Sequence, residues 1–270
     1  MKYLFIAAGL SFCFASPSVA ADTPSGEALI MPPYPAQTPW KQISSEQKNT
    51  IRTTEWRPAD RKEGDASDRL LQTKNFGTKS SASQDILMGF GIFKMVCLGG
   101  LRINGPIERI EGEYTVAYAQ AYCSDLYGTH EDIDDFVKSI RGRDALYSVT
   151  RSFRRPTERG VPGVRKFSGD NAQAASDAVM EEQAAVNRYL GEVHLCPAAE
   201  PCPVPGSWPV DGKTPQSEVR DKLGKPWAEN QNPDGRHVDL YKGEDGLIRT
   251  YLFGKDDLLI STAVHEVPRR

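Results

Sequence analysis

One stretch constrains this chain more than any other: Gly112-Glu-Tyr-Thr-Val-Ala-Tyr-Ala-Gln-Ala-Tyr-Cys123. Tyr114, Val116, Tyr118 and Tyr122 share one parity, and Thr115, Ala117, Ala119, Ala121 and Cys123 share the other. Successive side chains of a strand point to opposite faces, so this spacing predicts a strand with one bulky aromatic face and one small, flat face. A flat alanine face lets a helix lie close. The preceding segment supplies one. Ser81-x-x-Gln84 is a capping-box pattern, and Ile86, Phe90, Phe93 and Val96 to Cys97 follow three/four spacing. Gly89 and Gly91 weaken that helix by about 1 kcal/mol each unless they serve close packing, which the alanine face would demand.

Cys97 ends the helix and Cys123 ends the alanine face. Of the five cysteines in 270 residues, Cys13 falls within residues 1–20. Those residues read as a secretory signal: Lys2 as the only charge, an apolar run from Tyr3 to Ala15, and a Ser18-Val19-Ala20 cleavage site. The run is too short to span a bilayer, and no later segment is apolar enough to cross one. The expectation is a chain secreted across the inner membrane to the periplasm, with outer-membrane association an open extension. Four cysteines then remain, and four allow three connectivities. Cys97–Cys123 and Cys196–Cys202 are the favoured disulfides; free buried thiols are the alternative. No two cysteines sit two residues apart, so a C-x-x-C redox or zinc site is excluded. Loss of Lys2 takes the formal charge to about −4, which argues against a nucleic-acid partner.

Along the chain, residues 21–49 hold Pro32, Pro33, Pro35 and Pro39 and read as an extended N-terminal arm. A domain of residues 50–195 follows. It opens with strands over 50–57 and about 69–76, then the helix to Cys97, ended by Gly99-Gly100, and a loop around Asn104-Gly105-Pro106. A short strand Ile107–Ile110 hairpins into the central one. The acidic run Glu131-Asp132-x-Asp134-Asp135 lacks a calcium-loop register and reads as a solvated loop. Strands Phe136–Ile140 and Asp144–Phe153 come next, and Tyr147, Val149 and Phe153 share a face with Arg151. Residues 151–166 form the one basic patch, with Arg151, Arg154, Arg155, Arg159, Arg165 and Lys166. Tyr114, Tyr118, Tyr122 and Tyr147 beside Arg151, Arg154 and Arg155 form a candidate platform for a polar ligand or a peptide. The competing reading makes the tyrosines a core layer under a helix over 171–190, whose apolar stripe is Ala172, Ala175, Val179, Val186 and Leu190. The order of strands and helices is similar to the Mog1/PsbP-like α+β sandwich. Gly142-Arg-Asp-Ala-Leu-Tyr-x-Val-x-Arg151-x-Phe-Arg154 resembles a stretch of uncharacterised exported bacterial proteins.

Residues 196–209 carry five prolines and read as a linker. Beyond it, Thr214 is placed as a helix N-cap with Pro215 in the first turn, Gly224 as the stop, and His237–Tyr241, Leu247–Phe253 and Leu258–Val264 as three strands. Gly212-Lys-Thr-x-x-x-Glu218-Val219-x-x-x-Leu223-Gly224-x-Pro226, followed by Tyr251-x-Phe253 and a hairpin, resembles the small outer-membrane assembly lipoproteins of the BamE (SmpA/OmlA) type. The resemblance covers about residues 210–265 of a module over 210–270. It implies a helix-and-strands fold, an envelope protein partner and a role in outer-membrane or envelope assembly.

For catalysis the sequence offers little. His130, His194, His237 and His265 form no H-x-x-x-H pair, and no G-x-S-x-G, P-loop or G-x-G-x-x-G is present. The expected chain is α+β, with an antiparallel sheet packed with helices and a small C-terminal module. It is expected to bind or scaffold rather than catalyse, with no cofactor, no metal and an unidentified small-molecule ligand, if any. A periplasmic enzyme, or an inhibitor of one, is the alternative.

Overall fold

A computed structural model describes residues 26–34, 39–60, 68–156, 172–197 and 202–267. The signal segment, part of the proline arm, the basic residues Arg159, Arg165 and Lys166, and the cap region before Ala172 lie outside these. The fold is α+β. Its body is an eight-stranded antiparallel sheet with the spatial order β10-β5-β6-β7-β8-β4-β3-β2. These strands are β2 (Trp40–Lys48), β3 (Ile51–Pro58), β4 (Asp68–Phe76), β5 (Cys97–Glu111), β6 (Tyr114–Leu126), β7 (Glu131–Arg141), β8 (Ala145–Pro156) and β10 (Ser207–Trp208).

β6 sits inside this sheet and has no solvent face. On its aromatic side Tyr114 and Val116 join Phe136, Ile140, Tyr147, Val149 and Phe153 beneath helix α2 (Ala172–Glu192), which contributes Val186, Tyr189 and Leu190. On its small side Ala117 and Ala121 are wholly buried against Ala82, Ile86 and Phe90 of helix α1 (Ala82–Val96). The expected capping box is formed: Ser81 Oγ accepts from the Gln84 N–H, and Gln84 Oε1 accepts from the Ser81 N–H. The result is three layers, helix–sheet–helix. The cysteines lie in the two expected pairs, Cys97 with Cys123 and Cys196 with Cys202, at Cα separations of 5.7 and 5.9 Å.

Several expectations change. Gly89 and Gly91 do not face the alanines; they lie on the exposed side of α1, and a Cβ at either would meet nothing within 4 Å. The alanines alone provide the close approach. Gly99 and Gly100, and Asn104-Gly105-Pro106 where a loop is expected, all belong to a fifteen-residue β5. Gly99 is the glycine that close packing requires, since a Cβ there would come within 2.5 Å of the Ser124 carbonyl oxygen. The arm over 21–49 contains two strands. β1 (Glu27–Ile30) pairs with β9 (His194–Pro197), and β2 forms the outer edge of the large sheet. Glu131 to Asp135 are strand, not loop, because arginines on β8 and Tyr122 on β6 take up their charge. The linker contributes β10, which pairs with Ile110 and Glu111. Pro215, not Thr214, caps α3 (Gln216–Leu223); the Thr214 hydroxyl accepts the Val210 N–H instead. The module's sheet has four strands rather than three: β11 (Ala228–Gln231), β12 (His237–Lys242), β13 (Leu247–Phe253) and β14 (Leu259–Glu266).

The two sides of α1 predict opposite responses to added bulk. Ala117→Leu should destabilise the protein by about 1–3 kcal/mol, because the α1–β6 contact has no room. Gly91→Ala should stabilise it by roughly 0.5–1 kcal/mol, since it adds helix propensity in open space. Urea unfolding of both variants checks this; a destabilised Gly91→Ala would mean that the outer face of α1 is packed.

Candidate functional site

The predicted platform is not a surface. Tyr114, Tyr122 and Tyr147 are buried, and Tyr118 is half-buried. The strands bring them together as expected, but α2 covers the face. Tyr122 donates to Asp132 Oδ2 at 2.7 Å. Arg151 is buried on the same face, its guanidinium 3.8 Å from the Phe153 ring centroid and 4.7 Å from that of Trp40, with Asp68 at 3.4 Å. Arg155 reaches Asp134 at 3.4 Å and Glu182 on α2. Arg154 points to the opposite face, where Glu131 lies 3.6 Å away. Burial, with Arg69 beside it, lowers Arg154 from the usual guanidinium range, while Glu131 and Asp135 pull the other way. All three arginines therefore serve internal carboxylates, and they do not converge on a ligand.

The same core holds a group that the sequence reading passed over. Lys138 on β7 is wholly buried among aromatic and aliphatic side chains. Its ammonium donates to Glu111 Oε2 and to the Val193 carbonyl, each at 2.6 Å, and lies 4.8 Å from the Tyr118 ring centroid. The Tyr118 hydroxyl donates to the other oxygen of Glu111. Burial lowers Lys138 from the usual amine range, and Glu111 offsets part of that. Burial first, then Glu111, raises Tyr118. Val193 follows the last turn of α2, so the ammonium also meets the negative end of that helix. This arrangement is a clasp that ties β5, β6, β7 and α2 together. The available signal was a lysine between Phe136 and Ile140 on the apolar face of a strand.

A further set of polar groups lies along the seam between the large sheet and the C-terminal module. Arg249 on β13 is forked between two carboxylates. Nε and Nη2 donate to Glu108 at 2.7 and 2.9 Å, and Nη1 and Nη2 donate to Asp245 at 3.0 and 2.8 Å. Glu108 also accepts from Ser83 on α1 at 2.8 Å, and Gln84 donates to the Asp245 carbonyl at 2.7 Å. Arg109 donates twice to Asp211 at 3.0 Å, and also to Thr262 on β14. Hydrogen bonds from the first turn of α1 and ion pairs from β5 thus fasten both to the module; the Arg249 pairs are largely shielded from water, whereas Asp211 is half-exposed. A cleft of about 390 Å³ beside Arg249 is lined by Arg141, Tyr241, Lys242 and Glu244. A second, of about 780 Å³, lies between α1 and the module and is lined by Gln84, Leu87, Met88, Asp245, Glu266 and Val267. No local pattern announces Glu108 or Arg249 in the sequence, because their pairing spans 141 residues.

Two measurements test these assignments. Lys138→Met strands a buried carboxylate and should cost about 3–5 kcal/mol, whereas Lys138→Met with Glu111→Leu should recover most of that. Additive losses in denaturant unfolding would show that the two residues do not act as a pair. For the seam, burial alone would raise the Asp245 carboxyl, but hydrogen bonds from Arg249, the Leu247 N–H and Ser81 hold it at about 2. That is below its unfolded value of about 3.9. The stabilisation is therefore full above about pH 4 and fades as the pH falls towards about 2. Asp245→Asn should be less stable than the native chain at pH 5, with the gap closing by pH 2; a pH-independent gap would exclude Asp245 as the group responsible.

No protein-family model matches this chain, and no curated protein matches it either.

Proposed function

We propose that this is an exported bacterial cell-envelope protein with a non-enzymatic binding or scaffold role in envelope assembly. The observation that carries the reading is the outer face of α1. Met88, Ile92 and Met95 recur at i, i+4 and i+7, one helix stripe, and are 58%, 59% and 76% exposed. Leu98, just beyond the helix, is 55% exposed. The stripe runs into the 780 Å³ groove that α1 forms with the C-terminal module. Large exposed apolar patches mark interaction sites, and methionine adapts to irregular partner surfaces.

The occupant that fits is a short apolar segment of another envelope protein carrying a basic residue. A groove of this volume admits a segment rather than a domain face. Its lining mixes apolar Leu87, Met88 and Val267 with polar Gln84, Asp245 and Glu266, and Glu244 of the neighbouring cleft adds a further negative charge. The signal-like residues 1–20 and the two cysteine pairs support an oxidising, exported setting. The resemblance of residues 210–265 to the BamE-type module supports the assembly role.

A photo-crosslinking residue at Met95 of the exported protein, in living cells, should give one predominant adduct with an envelope protein. Ile92→Glu should abolish that adduct while leaving the melting temperature within a few degrees of native. An adduct unchanged by Ile92→Glu, or one only with a second copy of this chain, would sink the reading.

A further inference from the structure

β9 places His194 and Cys196 two residues apart, so both side chains project from one face of the strand. Cys202 folds back onto them. A ring nitrogen of His194 and the two sulfur atoms lie within 4.8 Å of one another. His194 is 4% exposed and Cys196 fully buried. Its imidazole faces two backbone carbonyls: Nδ1 is 2.7 Å from the Glu192 oxygen, and Nε2 is 3.1 Å from the Cys202 oxygen. A neutral imidazole has one N–H and serves only one of them. With that hydrogen on Nδ1, at the shorter contact, Nε2 turns a lone pair towards an acceptor. A cation at Nε2 relieves this. Donation from the far ring nitrogen to a backbone carbonyl is the usual support of a metal-bound histidine.

We propose that the Cys196–Cys202 disulfide masks a Cys2His site for a thiophilic d10 cation of the Zn2+ class, opened by reduction. A dithiol reductant transfers two electrons and two protons to the disulfide and is itself oxidised to a disulfide, leaving two cysteine thiols. Zn2+ then binds both sulfurs and His194 Nε2 and releases the two thiol protons. Tetrahedral coordination places such donors roughly 3.5–3.8 Å apart, so the sulfurs must separate and the ring must close in, each by less than the length of a side chain. The fourth position is left to water, as in sites that exchange or act through their metal. This inference does not rest on the partner-binding reading: it uses β9 and Cys202 and none of the α1 surface.

The test uses the full exported chain, reduced and freed of reductant without air, and titrated with Co2+ as a spectroscopic stand-in for Zn2+. One equivalent should bind, with thiolate-to-cobalt absorption in the near ultraviolet and the strong visible bands of tetrahedral cobalt. The oxidised protein should show neither. Cys202→Ser should remove the thiolate signal of this site, and His194→Gln should weaken binding at least about tenfold. Far-ultraviolet circular dichroism of each reduced sample confirms that folded protein is being titrated. Cys202 is half-exposed, so its serine variant serves if His194→Gln fails to fold. Absence of uptake by the reduced native chain overturns the proposal. So does a signal that survives Cys202→Ser, which would place the metal at Cys97 and Cys123.

Discussion

A strand with two unlike faces, neither of which can meet water, sets the architecture. β6 offers tyrosines and a valine on one side and alanines on the other. The aromatic side needs depth, and α2 supplies it by laying Val186, Tyr189 and Leu190 over a broad apolar layer. The small side needs proximity, and α1 supplies that through Ala82, Ile86 and Phe90. The Cys97–Cys123 pair ties the end of α1 to the end of β6's small face, so the helix is held where its packing is closest. In the loop-closure account a link across 26 residues is worth about 3 kcal/mol. The order of layers follows from β6, and the remaining strands extend a sheet whose centre is already covered.

Most charged groups inside this sandwich are paired with one another, although Asp135 Oδ1, Arg151 Nε and Arg154 Nε are buried without a hydrogen-bond partner. The acids of β7 and the arginines of β8 lie on neighbouring strands, with Asp132 opposite Arg155 and Ile133 opposite Arg154. Glu131 and Asp134 therefore find Arg154 and Arg155 two residues away in register, while Asp132 accepts from the Tyr122 hydroxyl and the Asp125 N–H. Arg151 is held differently, between aromatic rings, where a weakly hydrated guanidinium loses less on burial than an ammonium would. Lys138, the ammonium that is buried, has the more demanding partners: a carboxylate, a helix-terminal carbonyl and a tyrosine ring. Removing one member of such a set leaves the others without water or partner, which makes these residues sensitive without making them catalytic.

What was legible in the sequence was periodic and local. Parity divided the side chains of residues 114–123 between two layers, the Ser81–Gln84 pattern marked a helix start that is formed, and the cysteines ended the elements that they join. What was not legible depended on neighbours across strands. Glu131 to Asp135 read as a solvated loop because four acids in five residues repel one another in isolation; their arginines arrive only with the β7–β8 register. Gly89 and Gly91 read as packing glycines because the alanine face was known to need a close helix, yet helical phase turns them outward. Arg151, Arg154 and Arg155 read as one patch by proximity in sequence, although strand parity puts Arg154 on the other side of the sheet. The seam between the sheet and the C-terminal module was invisible for the plainest reason: Glu108 and Arg249 share no local pattern.

The same covering argument bears on where recognition can occur. Both faces of the central strands are occupied, and their buried charges are balanced in place. The back of α1 stays uncommitted: the helix is apolar on its inner side and apolar again on its outer side at Met88, Ile92 and Met95. A helix needing only one buried stripe gains nothing in its own stability from a second, since exposed apolar surface adds no burial. The capping box and the disulfide already fix both ends of α1. Glu108 ties its first turn to the module through Arg249, so the outer stripe and the groove are presented together on supported elements. A surface held rigid before binding loses less entropy on association. That places the proposed partner site on an apolar face that the fold supports but does not itself use.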